Sequence, residues 1–523
     1  MAGEKCGLEA SRQITGILAG DRHLDHAGLA SLARHAAGGL KLLGVQPGET
    51  VALLLRNDIA FFVATLAAQG VEAYAVPINW HGTAEEIAYI LRDSGARVLV
   101  AHSDLLAKLA GNLPGDCTVL SVATPPEIAE AYHIPAAACS VAQGATDWEQ
   151  WVWAQPELTE SPRSARGSIV YTSGSTGRPK GVVRAPAEGE ARDRALSIVD
   201  EIFGVPRGTP VRLVVTGPLY HPAPNFSAMR AIEPGSLVVL QPKFDELKLL
   251  AMIQRYGITH LNMVPTMFIR LLRLEEHIRY RFDLTSLRRV THAAAPCPIE
   301  IKRRMIDWWG PVIHEFYGGT ETGTVTIHGS EEALAKPGTV GRPLNNCVVK
   351  ILDEQGNELP PNTAGEVFCR NYNLPDFEYR GLPEKRREVQ RGDLITVGDI
   401  GYCDDDGYLF LLDRKRDLII SGGVNIYPAE IEHVLITMPG VKDCAVFGIP
   451  SNDLGESVCA HVELLDDAKL TPEEITAWLR HRLGGLRTPG LVRIDSNLPR
   501  EDSGKIMKKN LRAAYWAAAG RKI

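Results

Sequence analysis

Residues 170–181, Val-Tyr-Thr-Ser-Gly-Ser-Thr-Gly-Arg-Pro-Lys-Gly, gather hydroxyls, glycines and a cation into twelve positions. Thr172, Ser173, Ser175 and Thr176 are interleaved with Gly174 and Gly177. Glycine reaches positive φ without steric cost, so such a run can turn successive N–H groups toward one anion. The hydroxyls add donors, and Lys180, behind the rigid Pro179, adds positive charge. That combination is a cradle for a polyphosphate. It is not a Walker A loop, because Gly181 stands where a Ser or Thr would have to follow the lysine.

Other stretches hold groups that such a ligand would need. In Tyr317-Gly318-Gly319-Thr320-Glu321-Thr322-Gly323 the glycines allow close backbone approach, and Thr320 can donate to a phosphate oxygen. Glu321 offers the hard carboxylate oxygen that Mg²⁺ takes alongside water and phosphate, and Tyr317 a flat face for a purine. Asp399, in Val397-Gly398-Asp399-Ile400-Gly401, has two acceptor oxygens for a ribose diol, and Arg414 is a matching donor. Taken singly, a turn carboxylate and an exposed arginine are equally ordinary surface residues. His221, in Leu219-Tyr220-His221-Pro222-Ala223-Pro224, is on its own as readily a structural histidine.

These stretches, with Ser421–Pro428 and Pro499–Lys505, resemble in chain order the motifs of the adenylate-forming superfamily. That superfamily holds acyl-CoA synthetases, peptide-synthetase adenylation domains and beetle luciferases. The six matches run from 171 to 505. The resemblance implies ATP, Mg²⁺ and coenzyme A as reactants, with an acyl-adenylate between the two half-reactions. It implies catalytic roles for Lys505, His221 and Thr320, with His221 beside the substrate carboxylate. By the same resemblance Thr172, Ser173, Gly174, Ser175, Thr176, Gly177, Lys180, Tyr317, Gly318, Thr320, Asp399 and Arg414 hold the nucleotide, and Glu321 holds the metal. Ser421, Gly422 and Gly423 line the path of the pantetheine arm. Arg416 falls at the hinge, where relatives carry Asp or Lys.

The elements that must position these groups are legible as patterns. Val51–Leu55, Ala73–Ile78, Val98–Val100, Ile169–Tyr171, Val211–Val215, Ser236–Leu240 and Thr259–Val264 are apolar strand-like runs. Helical periodicity over 24–44, 58–69 and 84–93 separates the first of them. This alternation predicts an α/β fold of doubly wound parallel sheets. The stretch 112–163 reads as less regular, with Trp148, Trp151 and Trp153 packing on the domain. Arginines 281, 288, 289, 303 and 304 read as solvated faces. From about 336 to 412, short strands broken by Asp- and Gly-rich turns predict a small β-barrel-like unit. Residues 1–413 are therefore expected to form an N-terminal domain that binds ATP and the acid. A hinge link at 414–417 and a mobile α+β domain at 418–523 are expected to follow.

Composition narrows the class. The chain has 523 residues, 45% of them hydrophobic and 23% charged, and a net charge of −7 that gives no support to nucleic-acid binding. Nine dispersed cysteines without a C-x-x-C, and no apolar leader or run of membrane-spanning length, lead to the expectation of a cytoplasmic protein. Nothing in the sequence addresses the oligomeric state. With 18 residues after Lys505, no fused carrier domain is expected. The expected acyl wall is His221, Pro222, Ala223, Met263, Val264, Ala293, Ala294, Ala295, Gly318 and Gly319. Apart from His221 it carries no charged group, which points to a small-molecule apolar monocarboxylate of fatty, aryl or steroid type. The absence of an acidic residue at 219–224 argues against an amino acid. Transfer to a carrier-protein thiol, and a non-catalytic nucleotide-binding relative, are the competing readings.

Overall fold

The computed structural model describes residues 11–109, 111–172, 178–451, 453–485, 487–500 and 506–519. Ser173, Gly174, Ser175, Thr176 and Gly177 of the phosphate loop, and Lys505, lie outside the described residues.

Two sheets, one mostly and one wholly parallel, with helices between and around them, hold the main core. Among the described residues, a nine-stranded sheet runs Arg342–Pro343, Gly323–His328, Ile313–Gly319, Arg289–His292, His260–Met263, Arg212–Val215, Leu237–Leu240, Gly16–Ala19, Arg22–Leu24. Neighbours from Ile313–Gly319 through Gly16–Ala19 are parallel, and antiparallel strands close both edges. A second sheet, wholly parallel, runs Tyr74–Pro77, Thr50–Leu54, Ala96–His102, Thr118–Val122, Thr146–Asp147.

Strand alternation sends side chains into different cores. Val51 and Leu53 join Leu213 and Val215 in the core between the sheets, while Ala52 and Leu54 face one outer layer and Val214 another. Burial on both faces is why these strands read as continuous apolar runs. The helix Ile59–Gly70 lies in the central layer and buries Phe61, Phe62, Val63, Ala64, Ala67 and Ala68, apolar on every side as an enclosed helix must be. The doubly wound α/β architecture is thus present.

Two expectations change. Residues 112–163 are more ordered than their pattern promised: Thr118–Val122 and Thr146–Asp147 complete the second sheet, and Trp148 and Trp151 stack at 5.7 Å. Trp153 is the exception, 56% exposed. Arg289 is not a solvated residue. Its guanidinium donates to the carbonyls of Glu201 and Ile202 at the end of the helix Gly189–Phe203, where a cation complements the helix dipole.

Two further sheets are antiparallel, and the C-terminal one is mixed, with Gly455–Leu464 and Leu491–Asp495 parallel. A three-stranded one orders Phe377–Tyr379, Lys180–Arg184 and Val170–Thr172. A five-stranded one contains Cys347–Leu352, Gly365–Asn371, Leu394–Cys403, Gln390–Arg391 and Leu409–Arg414, bent by bulges at 366/368 and 400/401. The C-terminal part is a smaller α+β unit. Its sheet holds Val424–Ile426, Ile419–Ser421, Gly455–Leu464, Val441–Ser451 and Leu491–Asp495, with helices Pro428–Leu435, Pro472–Leu483 and Lys508–Ala518. Its own core includes Ile431, Val446, Val462 and Leu479. No helix among the described residues is long and apolar enough to cross a membrane.

Candidate active site

The antiparallel register joins the two ends of the phosphate loop. Thr172 and Lys180 are register partners across Val170–Thr172 and Lys180–Arg184, so the described residues that flank 173–177 are paired side by side. The stem is anchored from below. Tyr171 donates to Asp93 at 2.6 Å, Tyr89 donates to the other oxygen of Asp93 at 3.3 Å, and Arg178 lies 5.4 Å over the Tyr89 ring. Asp93 ends the helix Ala84–Ser94, which opens with a Thr83–Glu86 capping box and stops at Gly95 in the left-handed region.

Glu321 sits opposite this stem in the turn between Ile313–Gly319 and Gly323–His328. Its Oε1 accepts from the Tyr379 hydroxyl at 2.9 Å and from Thr172 Oγ1 at 3.4 Å. The turn's backbone is clamped by Arg184, which donates to the carbonyls of Thr320 at 3.1 Å, Glu321 at 2.5 Å and Pro375 at 2.5 Å. Burial lowers the Arg184 pKa to about 10, which still leaves the guanidinium charged at neutral pH. Gly319 N–H donates to Thr322 Oγ1 at 2.8 Å. Gly318 has to be glycine, since a Cβ there would collide with the Gly323 carbonyl. Lys180 Nζ lies 4.0 Å from the Tyr379 ring centroid; burial draws its pKa down, and Glu321 opposes that shift.

Asp399 and Arg414 are register partners on Leu394–Cys403 and Leu409–Arg414, with Arg414 Nε 3.4 Å from Asp399 Oδ1. Tyr317 donates to Asp399 Oδ2 at 2.7 Å. The Tyr317 ring is only 9% exposed and packs with Val325, Val340, Ile351 and Val367. In this arrangement it supports Asp399 through its hydroxyl while its ring belongs to the core. Burial raises the Tyr317 pKa well above the ordinary phenol value, and Asp399 adds to the rise. The Glu321 turn and the Asp399 segment touch: a Cβ on Gly319 would lie 2.8 Å from Val397 Cγ1. Three sequence-distant groups therefore share one surface.

Topology assembles the acyl-side residues. His221, Val264, Ala293–Ala295 and Gly318–Gly319 lie at or just beyond the carboxyl ends of Arg212–Val215, His260–Met263, Arg289–His292 and Ile313–Gly319. Ligands of open α/β sheets bind at such ends. His221 precedes the helix Pro222–Arg230, its ring 4.4 Å from that of Tyr220. Pro222 is half-buried, and Ala223 and Ala293 pack beside the central core. Ala294 is exposed with φ +74°, and Ala295 is half-buried. Met263 and Val264 divide from these: Met263 is 2% exposed inside the core on the sheet's other face, and Val264 packs against it.

No group of three or more His, Cys, Asp or Glu among the described residues could cage a metal ion. Glu321 alone suits Mg²⁺, which binds through one or two carboxylates and completes its shell with phosphate and water. In the C-terminal unit, Gly422 and Gly423 form the exposed tip of the hairpin Ile419–Ser421/Val424–Ile426, with φ of +58° and +81°. Ser421 pairs with Gly455. Arg416 lies in the turn after Arg414, 49% exposed at its side chain, and its carbonyl accepts from Arg512 at 3.2 Å. Lys415 N–H holds the Gly398 carbonyl at 2.7 Å, so this turn is tied to the Asp399 segment.

No sequence motif marks Arg184, Tyr379 or Asp93 as site residues. Arg184 had a signal, since alternation from Lys180 puts it on the lysine's face of the strand. Tyr379 and Asp93 reach the site only through tertiary pairing.

Comparison with known proteins follows the same geometry. The AMP-binding enzyme family matches residues 8–375, and the AMP-binding enzyme C-terminal domain matches residues 430–505. The chain is 31% identical over 511 residues to a feruloyl-CoA synthase of an Amycolatopsis species, covering 97% of this chain and 96% of that protein. It is 31% identical over 522 residues to the fatty acid–[acyl-carrier-protein] ligase ScoC of Streptomyces coeruleorubidus, with 97% and 94% covered. The amide bond synthetase McbA from Marinactinospora thermotolerans superposes with a TM-score of 0.80 at 27% identity, covering 97% of this chain and 100% of that one. With both family regions matched in order on one chain, the protein belongs to the AMP-binding enzyme family, the adenylate-forming enzymes that include bacterial acyl-CoA ligases.

Proposed function

We propose that this protein activates an apolar monocarboxylic acid with ATP as an acyl-adenylate and then passes the acyl group to coenzyme A. The observation that carries the reading is the convergence of Thr172–Lys180, Thr320–Glu321 and Asp399–Arg414 on one surface. Asp399 would hold the ribose hydroxyls with Arg414 beside it, steadied by Tyr317. The phosphate loop and Lys180 would hold the β- and γ-phosphates. Glu321 would hold Mg²⁺, which supplies positive charge to the phosphate oxygens.

A carboxylate attacks phosphorus poorly, because two anions must approach each other. Lys505 would place its cation between the acid and the α-phosphate, and the bound groups would contribute by positioning. The acid's C–O⁻ oxygen bonds to the α-phosphorus and the bond to pyrophosphate breaks. In the second half-reaction the thiolate sulfur attacks the acyl carbon and AMP leaves. Division of the chain near 414–417 supports a rotation of the 418–523 unit that withdraws Lys505 and brings in Ser421, Gly422 and Gly423. The small side chains of Ala223 and Ala293 beside the central core favour an apolar acid.

Relatives that use a carrier-protein thiol or form an amide make the acceptor the open choice. The test incubates the purified protein with MgATP and acids from benzoate and cinnamate types through octanoate and palmitate to a bile acid. Pyrophosphate and AMP are followed with and without coenzyme A. Thioester formation with AMP release that depends on coenzyme A is expected. Pyrophosphate release that coenzyme A does not accelerate would shift the acceptor to a carrier protein or an amine. No turnover with any acid, despite ATP binding, would leave a non-catalytic nucleotide binder.

A further inference from the structure

We infer that Tyr379 is a positioning residue that keeps Lys180 and Glu321 from pairing and turns each toward the metal-phosphate end of the nucleotide. The inference rests on the ATP reading above. Tyr379 is 3% exposed and pairs with Val182, between Lys180 and Arg184 on the neighbouring strand. Its two ends do different work. The hydroxyl donates to Glu321 Oε1 at 2.9 Å, and Thr172 donates to the same oxygen at 3.4 Å. Glu321 Oε2 has no hydrogen-bond partner among the described residues, so the carboxylate is held by one oxygen and presents the other. The ring face lies 4.0 Å from Lys180 Nζ.

Lys180 makes no ion pair with Glu321 among the described residues, although both contact the same tyrosine. Opposite charges this close in a half-buried site attract strongly, and a closed pair would neutralise both groups. A closed pair would also have to open before phosphate or metal could bind. An aromatic face holds an ammonium more weakly than a carboxylate does, and it occupies none of the ammonium's hydrogens. The tyrosine therefore acts as a spacer. It satisfies each charge partly and leaves each available.

Two substitutions separate the two ends. Tyr379→Phe keeps the ring and removes the donor; Tyr379→Leu removes both. ATP affinity is measured by calorimetry across a magnesium series, with thermal melting as the check on folding. Tyr379→Phe should bind metal-free ATP as the wild type does, but need about 10-fold more magnesium to reach half of the metal-induced tightening, as loss of a group that orients a metal ligand does. Tyr379→Leu should in addition weaken metal-free ATP several-fold, because Lys180 is then free to close onto Glu321. A folded Tyr379→Phe protein with an unchanged magnesium requirement would overturn the inference. So would an equal loss of metal-free and metal-bound affinity, which marks a merely structural tyrosine. A wild-type protein that binds no ATP would instead refute the nucleotide reading before any variant is compared.

Discussion

Glu321 and Arg184 divide the work at the turn: one presents charge, the other fixes the backbone that carries it. Glu321→Gln keeps the shape and removes the charge, so kcat for adenylation should fall by about 10²–10³ with little change in melting temperature. An unchanged kcat at saturating magnesium would remove Glu321 from the chemistry. Arg184→Leu takes the donor from three carbonyls and should lower both stability and turnover. Arg184→Lys, with fewer donors, should recover stability more than turnover. Parallel recovery of the two would make Arg184 a plain packing residue. Asp399 and Arg414 were legible in the sequence because a carboxylate and a guanidinium flank a recognisable turn and link, and they are register partners in the fold. Tyr317 was legible as a site residue, but its buried ring and its bond to Asp399 were not, since strand facing depends on which sheet packs against it. Tyr379 was illegible for a stronger reason: nothing near it in sequence resembles a site.

At the scale of elements, the hairpin Ile313–Gly319/Gly323–His328 brings the site's tightest backbone approach. Gly318→Ala should disrupt this hairpin, lowering the melting temperature and weakening ATP together, because any Cβ meets the Gly323 carbonyl. A wild-type melt for Gly318→Ala would contradict the close approach. Phe62, fully buried in the central helix and remote in sequence from every motif, sets the contrast. Phe62→Ala should cost about 3–5 kcal/mol in denaturant unfolding while the surviving folded fraction keeps its ATP affinity. The parallel strands were readable because both of their faces are buried, which makes them uniformly apolar. Thr118–Val122 does not stand out in the sequence because its first residues are exposed or half-buried, so the run looks mixed. The three-stranded sheet that organises Lys180, Thr172 and Tyr379 joins segments about two hundred residues apart, and no local pattern encodes such a pairing.

Over the whole molecule, burial of neutral histidines ties stability to pH. Burial is the largest cause that brings His260 to about 4, His292 to about 3 and His314 to about 4, against an ordinary value near 6.5. Between pH 6.5 and 4 the unfolded chain binds protons at these sites that the folded chain does not. Stability is therefore greatest above about pH 6.5 and falls as the pH drops, by about 1.4 kcal/mol per unit for each such histidine. Urea unfolding at pH 7.5, 6 and 5 checks this, and a flat profile would contradict neutral burial. In the proposed first half-reaction, the N-terminal region and Lys505 act on one phosphate. Isotope exchange between pyrophosphate and ATP, measured without coenzyme A, isolates that step. Exchange should depend on the acid in the wild type and be about 10²–10³ slower in Lys505→Ala. Thioester formation from supplied acyl-adenylate should survive in that variant. Exchange that ignores the acid would contradict acyl-adenylate formation, and exchange that Lys505→Ala leaves intact would contradict a role for Lys505 in it.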